Sequence, residues 1–372
     1  MSRTHPLQVL SPHPAGSRAQ PTHPERLTSP PPQESPRVLR DSHNRTIRDL
    51  RLSITDRCNF RCVYCMEPDV RFFLREHLLS VDELIRLAAI SKSLGIKRLR
   101  LTGGEPTLRP ELDEIIERIG GLGLDDLSMT TNGSLIEPSR LRLWKAAGLN
   151  RLTFSLDSAR EETFATMTRS RSTASAVLKA IEDAHAAGLG PIKVNAVVIR
   201  GHNEDQVPLL AELAATHNFE MRFIEFMPLD SGHAWNPKLL VPASEILASL
   251  QRAGEVTPLN RERASDTAET YAFVSHRPGA HTDRAGRIGI IAPVTRSFCG
   301  SCSRLRITAD GKVRPCLFSL REFDVRPLLR SNADDTTIEQ FMIDATWTKQ
   351  PGHGISSPDF EQPARPMSAI GG

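Results

Sequence analysis

The sequence predicts an α/β fold: an incomplete barrel of six strand-helix units, followed by a smaller C-terminal α+β module. Three observations carry this. From residue 50 onward, short β-rich runs alternate with helical patterns, the mark of parallel strands joined by helical crossovers. Within those strands, basic and hydroxyl side chains share one face and aliphatic ones the other. A closed eight-stranded barrel fills its interior with branched apolar residues, so the polar face predicts a wider, unfinished barrel around a charged ligand. After Pro228 the alternation gives way to a different mix of elements.

In chain order, residues 1–46 come first. They hold nine of the 27 prolines and few large apolar side chains. Such a segment cannot repay its ordering entropy and is expected to be a disordered extension. Its arginines and scarcity of acids also suit a transit peptide, although the prolines oppose the amphipathic helix such peptides form. Residues 47–228 are expected to form the partial barrel, with strands at 51–55, 96–102, 127–132, 151–156, 192–199 and 220–227. Side-chain alternation sets Leu52 and Ile54 against Arg51, Ser53 and Thr55 in the first. It sets Leu99 and Leu101 against Arg98, Arg100 and Thr102 in the second, Leu152 and Phe154 against Thr153 and Ser155 in the fourth, and Ile192 and Val194 against Lys193 and Asn195 in the fifth. The sixth is too irregular to assign. Ser80 to Glu83 is a capping box, Pro110 and Pro138 mark helix starts, and Gly95, Gly148 and Gly188 mark helix ends. Residues 229–372 form the second module: a helix near 243–252, β-rich runs near 271–274 and 287–294, a hairpin over 303–319 and a helix near 335–347.

Charge excludes one class of function. Lys and Arg total 47 against 44 Asp and Glu, but residues 1–46 hold six basic and three acidic side chains, leaving 41 of each in the remainder. A neutral folded part gives no case for wrapping nucleic acid. No apolar run approaches the roughly 18 residues of a membrane helix, so no membrane partner is expected.

All six cysteines fall into two triads, Cys58/Cys62/Cys65 and Cys299/Cys302/Cys316. Disulfide frameworks scatter their cysteines; clustered thiols in a large chain read as metal ligands in a reducing cytoplasm. Each triad stops one short of the four ligands that close a structural zinc site. Three thiolates on a four-iron cubane leave one iron open to a small chelating molecule. The first triad follows the first strand, at the end where barrel enzymes place their chemistry. A zinc knuckle that borrows a distant histidine is the alternative.

In the second triad, Cys299 and Cys302 precede a strand and an Asp310-Gly311 turn, and the returning strand brings Cys316 back. A two-residue turn there pairs Ala309 with Lys312 and sets Leu305 opposite Cys316. A zinc ribbon completed by His276 or His281 is the other reading. Arg304 and Arg306 lie two apart on the first hairpin strand and so share a side. With Arg51, Arg100 and Lys193 they would make a positive lining whose planar, bidentate guanidiniums suit phosphate.

The C-x3-C-x2-C spacing with Tyr64 before the last cysteine, and Gly103-Gly104-Glu105-Pro106 directly after the second strand, resemble the radical S-adenosylmethionine (SAM) superfamily. Adding the second triad, Arg-x-Arg at 304–306, RFIEFM at 222–227 and the terminal Gly371-Gly372, residues 45–372 resemble the GTP 3′,8-cyclase family of molybdenum cofactor biosynthesis. Residues 1–44 have no counterpart in that pattern.

The resemblance implies a radical SAM partial (β/α)6 TIM-type barrel and two [4Fe-4S] clusters, one on each triad. It implies SAM contacts from Tyr64, Gly104, Ser155 and Met227. GTP contacts are implied for Arg51, Arg100, Thr130, Lys193, Arg304, Leu305 and Arg306, with Arg304, Arg306, Gly371 and Gly372 serving catalysis. It further implies an external electron donor, a homodimer, and a product taken up by cyclic pyranopterin monophosphate synthase. A peptide-modifying radical SAM maturase shares the first triad and barrel, but such enzymes carry more C-terminal cysteines and leave the Arg-x-Arg pair unexplained. A zinc-binding interaction module without catalysis is the remaining rival.

Overall fold

The computed structural model describes residue 30, residues 37–277 and residues 285–371. Of the extension expected over residues 1–46, residues 1–36 therefore lie, apart from residue 30, outside the described residues, as do His281 and Gly372.

Six strands alternate with helices in the first half: β1 Asp49–Ser53, α1 Val81–Ser93, β2 Arg98–Thr102, α2 Leu112–Gly120, β3 Asp126–Thr131, α3 Pro138–Ala146, β4 Arg151–Ser155, α4 Glu161–Thr168, α5 Ala174–Ala186, β5 Lys193–Val198, α6 Val207–His217 and β6 Glu220–Glu225. The C-terminal part adds α7 Ala243–Ala253, β7 Gly254–Leu259, β8 Glu269–Ser275, β9 Gly286–Ile291, β10 Arg304–Ile307, β11 Lys312–Arg314, β12 Phe323–Asp324, α8 Arg326–Arg330, α9 Asp335–Trp347 and α10 Met367–Ile370. The local signals act as expected. Ser80 and Glu83 make both bonds of the capping box, and Pro138 occupies the first turn of α3. Pro110, by contrast, lies ahead of α2, which begins at Leu112.

All strands join one sheet in the order β12-β11-β10-β1-β2-β3-β4-β5-β6-β9-β8-β7. The run from β10 through β1–β6 to β9 is parallel throughout. The six-unit barrel is thus extended at each edge by a strand from the C-terminal part. No ladder joins β9 to β10, so among the described residues the barrel stays open. Residues from all eight parallel strands, Arg51 on β1 and Ile291 on β9 among them, line one cavity, so the sheet wraps around it. On the outer face, Leu52, Leu101, Leu152, Phe154 and Val194 are fully buried in a continuous apolar layer against the helices. That is the face the alternation of the sequence sets aside for the core.

Two expectations need correction. Residues 37–46 are packed, not part of a disordered extension. Leu39 and Ile47 are fully buried, Leu39 N donates to Leu94 O at 3.1 Å, and Arg40 bridges Thr46. The segment is held against the C-terminal end of α1, where Val38 also packs over Gly95. The 303–319 hairpin also has a different register: Arg306 pairs Arg314 and Ile307 pairs Val313, which sets Leu305 opposite Pro315 and leaves Cys316 beyond the ladder. Gly311, at φ +76°, takes the left-handed position after a turn in which its N–H bonds Thr308 O, so the loop holds three residues instead of two.

Candidate active site

The ends of the parallel strands converge on a cavity of about 270 Å³. Its lining includes all six cysteines, all half-buried and free. It also includes Arg51, Arg100, Arg304, Arg306 and Thr130, and the four residues expected at SAM, Tyr64, Gly104, Ser155 and Met227. Sequence positions 58 and 316 thus meet in one chamber because β10, whose hairpin with β11 is flanked by the second triad, hydrogen-bonds directly to β1, which leads into the first.

The first triad sits on a short loop in which Cys65 N donates to Cys62 O at 2.9 Å. Burial pushes the Cys58 thiol up to about 11 and Cys65 to about 12, and holds Cys62 well above its usual range. The loop is anchored by groups that sequence reading did not single out. Tyr64 OH donates to Asp157 at 2.9 Å, and the other oxygen of Asp157 accepts Val197 N at 2.9 Å, tying the loop to the ends of β4 and β5. Asn132 donates to Asn59 at 2.8 Å and its Nδ2 lies 4.0 Å from Cys58 Sγ.

Glu105, in the Gly-Gly-Glu-Pro turn, is a buried pin: its carboxylate accepts from Thr107 N and Oγ1, Thr131 Oγ1 and Asn132 N. Gly104 is required for a local reason. A Cβ there would stand 2.3 Å from Arg57 O and 2.5 Å from Asp56 O, so only glycine lets this turn lie against the cysteine loop.

The second triad has a different electrostatic setting. Burial raises the Cys302 thiol, but Arg304 and then Lys349 outweigh it and draw it down to about 6. Arg304 Nη2 reaches Cys302 Sγ at 3.3 Å. Lys349, almost completely buried, donates to Arg304 O and Pro315 O and so pins both arms of the hairpin beside the thiols. Arg45 reaches in from the N-terminal segment. It pairs with buried Asp41 at 2.6 Å and donates to the carbonyls of Cys299, Gln350 and Pro351. Neither residue is marked by a local pattern as reaching the second triad, since the backbone carbonyls that Lys349 and Arg45 bind there lie 34 to 306 residues away in the chain.

His276 is exposed and does not line the cavity. His353 does, but its Nε2 meets Pro293 O and its Nδ1 accepts Ile355 N. Among the described residues, no three such side chains surround a single point as one metal ion requires. The ligands of a multi-iron cluster bind different irons and need not. Six thiols in two sets of three, with an electropositive surround at the second, fit two such clusters.

The arginines form a row. Arg306, Arg51 and Arg100 occupy matching positions on the adjacent strands β10, β1 and β2. Burial first, then repulsion among the guanidiniums, holds Arg51 well below its usual range. Burial, with Arg151 and Arg222, lowers Arg100 to about 9, and burial with Arg304 lowers Arg306 to about 10. Arg306 Nε is buried without a partner. Among the described residues no carboxylate pairs with any of the three.

Below them a second hollow, of about 100 Å³, shares Arg51, Arg100, Arg222 and Arg304 and adds Lys193. Lys193 is drawn down to about 8, by burial first and then by Arg222, even with Glu220 4.0 Å away. Of the expected substrate contacts, the side chain of Leu305 alone is directed elsewhere: it is fully buried in the apolar core. Gly371, at φ +82°, lies so close to Ser53 and Thr102 that a Cβ would stand 2.8 Å from each.

Comparison with known proteins agrees with this geometry. Residues 52–214 match the radical SAM superfamily, and residues 219–355 match the family described as Molybdenum Cofactor Synthesis C. A GTP 3′,8-cyclase of Streptomyces coelicolor is 46% identical over 91% of this chain and 98% of its own length. The chain belongs to the GTP 3′,8-cyclase family. A cyclase of the same family from Mycolicibacterium smegmatis is 44% identical over 92% of this chain and 94% of its own length. The fold of this cyclase-family chain is also that of Streptococcus suis SuiB bound to S-adenosylmethionine, at a TM-score of 0.58 and 14% identity, covering 79% of this chain and 67% of that one.

Proposed function

We propose that the chain converts GTP to (8S)-3′,8-cyclo-7,8-dihydro-GTP, the first step of molybdenum cofactor biosynthesis. One observation carries this: a row of buried and half-buried arginines, with no carboxylate partner among the described residues, shares a single chamber with both cysteine triads. Cys58, Cys62 and Cys65 would hold one [4Fe-4S] cluster, and Cys299, Cys302 and Cys316 the other. When bound, the first cluster and SAM supply a 5′-deoxyadenosyl radical that removes the ribose C3′ hydrogen of GTP.

The residues of the chain do the positioning. Arg306, Arg51 and Arg100, with Arg304 and Lys193, take up the triphosphate, whose charge relieves their mutual repulsion. Gly104 lets the backbone approach the methionine end of SAM, and Tyr64, Ser155 and Met227 line that side. Thr130 faces the nucleotide, and the backbone of Leu305 remains available where its side chain is not. Lys349 and Arg304 offset the negative charge of the second triad, where the purine would meet the open iron. Gly371 closes the chamber against Ser53 and Thr102, and a catalytic role for Gly371 and Gly372 belongs to the same proposal. Holding ribose C3′ near the radical source is what confers selectivity.

An external electron donor, a homodimer and transfer of the product to cyclic pyranopterin monophosphate synthase belong to the same proposal. The cytoplasm is proposed as its location; no described helix is long and apolar enough to cross a membrane.

Anaerobic reconstitution should yield about eight irons and eight sulfides per chain. Incubation with SAM, dithionite and GTP should give a cyclised product of unchanged mass composition. The Arg304→Ala/Arg306→Ala variant should still release 5′-deoxyadenosine while forming no cyclised nucleotide. Cyclisation at ordinary GTP concentrations by that variant would remove the role given to the pair.

A further inference from the structure

The hollow below the arginine row lies where the barrel strands begin. Asp49, Arg98, Asp126, Arg151, Lys193 and Arg304, the first residues of β1, β2, β3, β4, β5 and β10, all line it, and the loop between β7 and β8 adds Arg263 and Asp266. In all, eight cationic side chains and three carboxylates line this space.

Every one of those carboxylates is already committed. Asp49 takes Arg98 on its two oxygens, at 2.5 and 3.0 Å, and the Ser303 hydroxyl besides. Asp126 takes Arg151 in the same way, at 2.9 and 2.6 Å. Asp266 accepts Arg263 Nε and Nη2 on one oxygen and Arg263 N on the other. Glu220, which stands just outside the lining, accepts Arg222 at 2.6 Å on one oxygen and Arg287 at 3.1 Å on the other, with Lys193 4.0 Å away. In the adjoining chamber Glu105 and Asp157 likewise have both oxygens bonded.

Arg51, Arg100, Lys193, Arg222 and Arg304 remain, and among the described residues only Glu220 pairs with members of that group, so about four positive charges stay unmatched. Arg151 Nη1 is buried without a partner and is a further donor beside the hollow. A nucleoside triphosphate carries about four negative charges near pH 7, and only about two once Mg²⁺ is bound. Mg²⁺ is usually held on a triphosphate with the help of one or two carboxylates. Here no lining carboxylate has an oxygen open to it, and the guanidiniums around the phosphates repel it.

Resting on the cyclase reading, we propose that the chain takes its nucleoside triphosphate as the metal-free anion and excludes the Mg²⁺ complex. The arginines then do what the metal does elsewhere: they screen neighbouring phosphates and fix their spacing. No metal polarises the terminal phosphate, which suits a reaction at ribose and base that leaves the triphosphate whole.

The test is equilibrium dialysis of GTP against reconstituted full-length protein at constant ionic strength, in metal-free buffer and at about 10 mM free Mg²⁺. The apparent Kd should rise about tenfold or more with Mg²⁺, since only the small metal-free fraction binds, while the Kd for SAM stays level. Exchange-inert Cr(III)-GTP, whose metal cannot leave, should bind about tenfold or more weakly than GTP. Arg98→Met, which opens the Asp49 carboxylate, should shrink the Mg²⁺ effect about threefold or more. An apparent Kd unchanged or lowered by Mg²⁺ would overturn the proposal, as would Cr(III)-GTP bound as tightly as GTP, or a Mg²⁺ effect in Arg98→Met equal to that of the wild type. If Arg98→Met fails to fold, the wild-type series and Cr(III)-GTP decide. GTP that binds but is not cyclised sinks the cyclase reading alone, because dialysis reads the preference without turnover. If GTP does not bind at all, inorganic tripolyphosphate with and without Mg²⁺ decides for the hollow on the same criterion.

Discussion

Replacing Arg365 with alanine should release the C-terminal segment from the chamber without unfolding the barrel. Arg365 bonds both oxygens of Asp310, at 3.0 and 2.8 Å, and Glu322 at 2.9 Å, and lies 5.6 Å over the Phe73 ring. The side chains of Asp310 and Glu322 are only 6% and 8% exposed. Removing one partner of a buried ion pair typically costs about 3–5 kcal/mol, because the abandoned charge stays desolvated. Asp310 keeps the Thr308 hydroxyl and Glu322 keeps Arg314, so the lower end, about 3 kcal/mol, applies here. At about 1.4 kcal/mol per factor of ten, that shifts the docked-to-released ratio of the tail roughly 100-fold.

Ile370 and the Gln362 to Asp230 bond would remain to hold the tail. Chymotrypsin cleavage at Phe360, read by mass, should therefore accelerate about 100-fold. GTP cyclisation should fall with it, SAM cleavage should persist, and Arg365→Lys should restore part of the protection. Cleavage at Phe360 in Arg365→Ala no faster than about threefold over wild type would refute the assignment of Arg365 as the anchor of the tail.

Three further outcomes are expected. Gly104→Ala, whose Cβ meets backbone oxygens at 2.3 and 2.5 Å, should lose SAM binding and first-cluster iron while the second triad still loads, measured by iron content and SAM titration. Lys193, lowered to about 8 chiefly by burial, should be raised again by bound triphosphate; nucleotide binding then takes up a proton, and KM for GTP should climb as pH passes 8, a rise that Lys193→Met abolishes. Asp157, pushed up to about 6 by burial, favours its protonated form in the folded chain, so its contribution to stability is full below its unfolded value of 3.8 and is lost as pH rises through 6. In thermal unfolding of the apoprotein, Asp157→Asn should consequently be more stable than wild type by about 1–3 kcal/mol at pH 7, with the difference vanishing below pH 4.

The barrel strands were legible because one face of each must be apolar and the other faces a charged chamber. Arg51, Arg100 and Lys193 advertise that directly, being basic residues that alternate with leucine or valine along their strands. Arg304 and Arg306 were legible from their spacing alone. β7 was missed because Pro258 argues against a strand, yet β7 ends the sheet, where an unpaired edge tolerates proline. The hairpin was misread by one residue because a glycine in the left-handed position can end a two- or a three-residue loop. Asp157, Lys349, Arg45 and Arg365 were silent for a different reason: each acts through a partner far away in the chain, so no local pattern marks it. The packed segment 37–46 was hidden in the same way, its apolar residues too few to signal a strand or helix by themselves.

The pairing of β10 with β1 bears on how the molecule is made. Asp49 and Ser303, which meet at this seam, are 254 residues apart. During synthesis the first strand emerges early and waits, with one hydrogen-bonding edge bare, until nearly the whole polypeptide has left the ribosome. Such delayed closure slows folding and invites aggregation. A truncation ahead of β10 would strip the first strand of its neighbour, uncover the Cys58–Cys65 loop and remove Cys316 altogether. Newborn chains of this kind should thus depend on chaperone protection until the last strands arrive.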